Sequence, residues 1–125
     1  MSGTVVIYAG ASIILAWGIA HLFPTRSVVR GFGEISSDNS HIIVMEWITE
    51  GVSLVFIGLL TGVVNYIDRG SPVSSVVFWS AFIMLNTLSG ISLFTGFRHS
   101  FIAFKLCPFI FTGSSLLIIV GSYID

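Results

Sequence analysis

An all-α fold, an antiparallel four-helix bundle held in a membrane, is what this sequence predicts, and three observations predict it. First, 54% of its 125 residues are hydrophobic and only 9% are charged, with a mean hydropathy of +1.00. A soluble domain carries about a quarter charged residues to cover its surface, so this surface has to face lipid. Second, the chain contains four apolar runs, over 4–22, 42–66, 73–97 and 101–123. Each is near or above the ~20 residues that cross a bilayer as a helix. Third, these runs show no β-barrel alternation. Backbone groups in lipid must be paired internally, which an uninterrupted helix achieves by itself.

The first run, 4–22, has no positive charge before it and is longer than the apolar core of a signal peptide, so it reads as a helix of the mature protein. The segment after it, 24–40, is polar and carries Gly31-Phe32-Gly33. It also holds Val28, Val29, Phe32 and Ile35 among its charges, which suits a segment lying at the membrane interface. Asp38 or Ser40 is the predicted N-cap of the second helix. Asp68-Arg69-Gly70-Ser71-Pro72 predicts a tight turn between the second and third helices, and Arg98-His99-Ser100 a still shorter one before the fourth.

Charge placement gives an expected orientation. Arg26, Arg30, Arg98 and Lys105 fall on one side of the bundle, and only Arg69 on the other. The excess of positive residues places the first and third loops in the cytoplasm and both termini outside, in the inner (cytoplasmic) membrane. Tyr8, Tyr66 and Tyr123 fall at the predicted outer ends, as an interfacial belt would.

The most informative segment is Met45-Glu46-Trp47-Ile48-Thr49-Glu50-Gly51. Its two carboxylates lie one helical turn apart, and positions 46, 50, 53, 57 and 61 share a face. Glu46, Glu50, Ser53 and Thr61 therefore form a polar stripe. An intramembrane carboxylate costs a few kcal/mol or more, so it faces the bundle interior or a wet cavity and marks a functional site. Two on one face would share protons as a coupled pair. The structural alternative pairs Glu46 with Arg98, Lys105 or Arg30 near the interface. His21, His41 and His99 fall toward the same side. Imidazole and carboxylate groups suit zinc, iron or manganese, but no close-spaced pair such as HxxxH is present, and interfacial histidines are commonly satisfied by backbone or headgroups. Asn86, Thr87, Ser89 and Ser92 can hydrogen-bond between helices, and Asn86 is also a candidate to line a cavity opposite Glu50. Gly58 and Gly62 form a GxxxG step, for an internal contact or a dimer seam.

Several functions are excluded. A net charge of −1 and no basic patch argue against a nucleic-acid partner. A single cysteine, Cys107, rules out an internal disulfide, a thiolate zinc cluster and a CxxC redox pair. Gly31-Phe32-Gly33 lacks the spacing and lysine of a phosphate loop, and no helix has the repeated arginines of a voltage sensor.

Gly18-Ile19-Ala20-His21 at the end of the first helix, the long loop with Gly31-Phe32-Gly33, and Met45-Glu46-Trp47 together resemble the DoxX-like class of small bacterial membrane proteins, over the first half of the chain. That resemblance implies a compact bundle with a role beside membrane redox enzymes. Small multidrug exporters, by contrast, place a glutamate in their first helix, where this chain has none. A second G-x-x-H-x-F run, Gly96 to Phe101, echoes Gly18 to Phe23. A duplicated two-helix unit would produce that, and so would a composition rich in Gly and Phe.

The functional expectation is a bundle that binds or passes a small molecule or ion through a cytoplasm-facing polar cavity. Glu46 and Glu50 are its proton- or cation-binding groups, with His21, Asn86 and His99 as lining. Two alternatives come from other classes. One is an accessory or scaffold subunit of a larger membrane complex, or a homo-oligomer. The other is a membrane enzyme whose metal or haem is held by His21, His99, Glu46 and Glu50. The sequence names no cofactor.

Overall fold

In a computed structural model of the chain, which describes residues 2–96 and 102–124, there are five helices and no strand among the described residues. They are α1 (Gly3–Leu22), α2 (Thr25–Gly31), α3 (Ser37–Asp68), α4 (Pro72–Gly96) and α5 (Ile102–Tyr123). All but α2 are long and apolar enough to cross a membrane. The fold class and the four spans thus follow the sequence closely, and the differences lie at the ends of α3.

At 32 residues, α3 is about 48 Å long at 1.5 Å per residue, well beyond the ~30 Å hydrocarbon core. Its first turns therefore project past the apolar run. The N-cap is Ser36, whose Oγ accepts from Asn39 N–H at 3.2 Å, rather than Asp38 or Ser40. Asp38 lies instead within the first turn, where its charge favours the helix dipole. The loop expected over 24–40 contains the seven-residue helix α2, none of whose residues is buried. Gly33 follows it with φ +73°, a conformation that side-chain-bearing residues rarely take.

The prolines punctuate as their chemistry requires. Pro72 opens α4, where a missing N–H is harmless, and Ser71 caps the same helix by accepting from Ser74 N–H at 3.1 Å. Pro108 lies inside α5 and withholds one backbone donor from its helix. Nearby, the Ser89 hydroxyl of α4 donates to the Pro108 carbonyl at 3.0 Å.

Packing order differs from chain order. α1 lies between α3 and α5, and α4 packs on α5. α3 and α4, though joined by the tight turn, touch far less than these three pairs. The core is apolar and central: Ile7, Ile14, Leu54, Phe78, Leu85, Phe111 and Ile118 are all essentially inaccessible.

Close approach of α1 and α3 depends on missing side chains. A Cβ at Gly18 would sit 2.7 Å from Val55 N, and one at Gly58 would sit 2.8 Å from Ala11 O. Gly62 faces open space. The GxxxG step is therefore not the contact unit: Gly58 makes an internal helix contact and pairs along α3 with Gly51, two turns earlier.

Candidate functional site

The two ends of the bundle are built differently. At the end carrying Arg69, polar groups close the structure. Arg69 donates to Ile124 O at 2.7 Å and to Gly121 O at 3.4 Å, satisfying orphan carbonyls at the C-terminus of α5. The Asn65 amide donates to Thr4 O at 3.2 Å, and Ser74 Oγ donates to Asp68 O. Tyr66 and Tyr123 are exposed at this end.

At the opposite end the helices enclose a cavity of about 360 Å³. Its walls come from the end of α1, the first half of α3, the end of α4 and the start of α5. The Gly18–Gly51 approach builds it. With the two backbones in contact, His21 (one turn beyond Gly18) meets Trp47 (one turn before Gly51). Their rings stack at 3.9 Å between centroids, 15° from parallel. The Trp47 indole N–H donates to the backbone carbonyl of His21 at 2.7 Å. That carbonyl is one of the four left unpaired at the end of α1. The next, Leu22 O, accepts from Thr25 Oγ1 at 2.7 Å. Phe104 of α5 meets Trp47 edge to face at 5.6 Å.

This clamp fixes His21 with its side chain 6% exposed, and Glu50 lies next to it: His21 Nε2 is 3.6 Å from Glu50 Oε2. That is ion-pair distance but too long for a hydrogen bond, and His21 Nε2 has no hydrogen-bond partner among the described residues. Buried polar atoms are normally paired, so an unpaired one on a cavity wall marks a place for a ligand atom or water. The Trp17 indole N–H, also on the wall, is buried with only the Cys107 thiol as a neighbouring acceptor. The Glu50 side chain keeps 34% of its surface exposed, leaving carboxylate lone pairs available.

The expected site residues are distributed unevenly. His21 and Glu50 converge on the cavity. Glu46 does not: it is exposed one turn nearer the start of α3 and outside the cavity wall, and no ion pair holds it among the described residues. Asn86 does not either. It faces α5, donating to Ser115 Oγ at 2.9 Å, beside a Ser89–Thr112 hydroxyl pair at 2.8 Å. Asn86 and Ser89 thus join α4 to α5, as intramembrane polar residues do, while Thr87 bonds within its own helix. Of the polar stripe on α3, Ser53 and Thr61 donate to carbonyls one turn back. His99 and Arg98 lie outside the described residues. His41 is exposed. Among the described residues, no three His, Cys, Asp or Glu side chains are grouped as metal ligands.

Four cavity residues escape a reading built on charge: Trp17, Trp47, Phe104 and Cys107. The signal for Trp47 was its place in a glycine-anchored pair of turns, Gly18-x-x-His21 and Trp47-x-x-Glu50-Gly51. Nothing in the sequence marked Phe104 or Cys107, whose positions depend on how α5 docks.

In comparisons with family models, curated proteins and solved structures, nothing matches this chain. Its architecture is a helical bundle of four candidate membrane spans with a largely apolar cavity at one end that holds His21 and Glu50.

Proposed function

We propose that this protein binds a small molecule in the cavity at the His21 end of the bundle, with His21 and Glu50 as the polar groups that recognise it. One observation carries the reading. His21 Nε2 is buried on the cavity wall with no hydrogen-bond partner, 3.6 Å from a carboxylate that is itself partly free. Two polar groups held this close and left incompletely paired are costly inside an apolar bundle, and a bound ligand atom would offset that cost. The volume supports the reading, since ~300–1,000 Å³ is typical of small-molecule sites. In the orientation expected from the positive residues, the cavity opens toward the cytoplasm.

This reading narrows the sequence expectation to Glu50 and His21, with aromatic walls, and leaves Glu46 and Asn86 to other tasks. Transport through the bundle would require a path to the other end, and the hydrogen bonds of Arg69, Asn65 and Ser74 stand across it. The favoured reading is therefore binding rather than conduction by a single chain.

Native mass spectrometry in mild detergent tests it. The wild-type protein is expected to retain an added mass that Glu50→Gln loses while remaining folded. A wild-type spectrum with no added mass, or an added mass unchanged in Glu50→Gln, would contradict the proposal.

A further inference from the structure

The composition of the cavity wall deepens that reading, on which the following rests, to a chemical class of ligand. Among the described residues the wall holds one carboxylate, Glu50, and no lysine or arginine. An anion would find no fixed positive partner among these described residues. Calcium and magnesium fare no better, because they need six or more oxygen ligands, and a zinc site needs three or four protein ligands, a grouping that no His, Cys, Asp or Glu side chains make among the described residues. Only one carboxylate is offered, with the Ser92 and Thr95 hydroxyls beside it.

What the wall does offer beside Glu50 is aromatic surface. Trp17, Trp47 and Phe104 line the same cavity. One face of Trp47 is covered by His21 and its ring is braced by Phe104, so the aromatic wall is preorganised rather than free to collapse. Aromatic faces beside a carboxylate attract a cation that carries apolar surface: the ring quadrupoles and the carboxylate act on the charge, and the apolar body fills the rest. His21 does not use up the carboxylate, since it stands beyond hydrogen-bond distance and Glu50 stays about one-third exposed.

We infer that the ligand is an organic monocation, an ammonium group on a small apolar or aromatic body, with its charge at Glu50 and its body against Trp17 and Phe104.

The probe set is phenyltrimethylammonium, its uncharged isostere tert-butylbenzene, and benzenesulfonate, each at matched free concentration in detergent micelles. The readout is tryptophan fluorescence of a Trp79→Phe protein. Trp79 stacks edge to face on Phe82 away from the cavity, so this variant leaves Trp17 and Trp47 as reporters. The ammonium is expected to bind about tenfold more tightly than tert-butylbenzene, and Glu50→Gln is expected to level the two. Equal binding of ammonium and isostere, or tighter binding of benzenesulfonate, would overturn the cation assignment while leaving a small-molecule site in place. A preference for the ammonium that survives in Glu50→Gln would overturn it as well. No response to any of the three would remove the cavity reading itself. The comparison of probes on the Glu50-containing protein stands even if Glu50→Gln fails to fold.

Discussion

The two ends of this bundle use the same kinds of residue for opposite purposes. At the Arg69 end, each side chain that reaches across helices finds a backbone carbonyl: Arg69 on α5, Asn65 on Thr4 of α1, Ser74 on Asp68. The result is a terminus drawn together by side-chain hydrogen bonds, with Asn65 Oδ1 a buried atom there that has no partner among the described residues. At the His21 end, a polar pair equally deep in the chain is left incompletely paired, and space remains around it. Only the backbone carbonyls there are satisfied, by Trp47 and Thr25. Paired polar groups tie membrane helices together, whereas unpaired ones beside a cavity are where a ligand can bind with advantage. What separates the two ends is the free space beside the polar groups, which the proposed binding site uses.

Variants sharpen or break that separation. The largest effect is expected from Gly18→Val. The added side chain would press on Val55 N and Leu54 Cβ at under 3 Å, force α1 from α3 and unstack His21 from Trp47. A loss of about 1–3 kcal/mol is expected from overpacking of this kind, read as a lower unfolding midpoint in detergent, together with loss of retained ligand. Arg69→Ala comes next. Removing its bonds to the α5 carbonyls should lower stability by about 1–2 kcal/mol and leave ligand retention unchanged; if ligand is lost as well, the two ends are not independent. Asn86→Ala should cost about 0.6 kcal/mol, the average for an interhelical hydrogen bond in a membrane, again without effect on binding. Glu50→Gln closes the order, with a stability change within about 0.5 kcal/mol and the full loss of binding. A destabilisation by Glu50→Gln as large as that from Arg69→Ala would mean that the His21–Glu50 pair is a structural tie after all.

The bundle was legible because its cause is local. Each span is an unbroken apolar run, and Pro72 and Gly33 sit where turns need them, so the fold class and the four spans could be read directly. The added length of α3 was less visible, because a polar first turn capped by Ser36 looks like loop in a hydropathy profile. The site was half legible. His21 and Glu50 stood out as ionisable groups in apolar runs, and they do converge. Glu46 stood out for the same reason, yet one turn closer to the helix start places it on the outer surface: identical spacing rules cannot say which of two stripe positions meets the neighbouring helix. That choice is made by Gly18 and Gly51, whose contact sets the rotation of α3 against α1. Asn86 was ambiguous because its partner, Ser115, lies 29 positions away on α5, and nothing along α4 indicates which helix it will face.

Cysteine accessibility tests the contrast between the ends most directly. Cys107 is the chain's single cysteine, 5% exposed and lining the cavity, while Ser74, 3% exposed, lies within the opposite end. The rate at which methyl methanethiosulfonate modifies Cys107 in the folded protein is to be set against that for Ser74→Cys in a Cys107→Ala background, each relative to the unfolded chain. Both positions are buried, so exposure at rest does not separate them, and modification of Cys107 at least about tenfold faster is expected because only Cys107 adjoins a cavity that can admit the reagent. Equal rates, or faster modification at position 74, would contradict an open, ligand-accepting cavity at the His21 end.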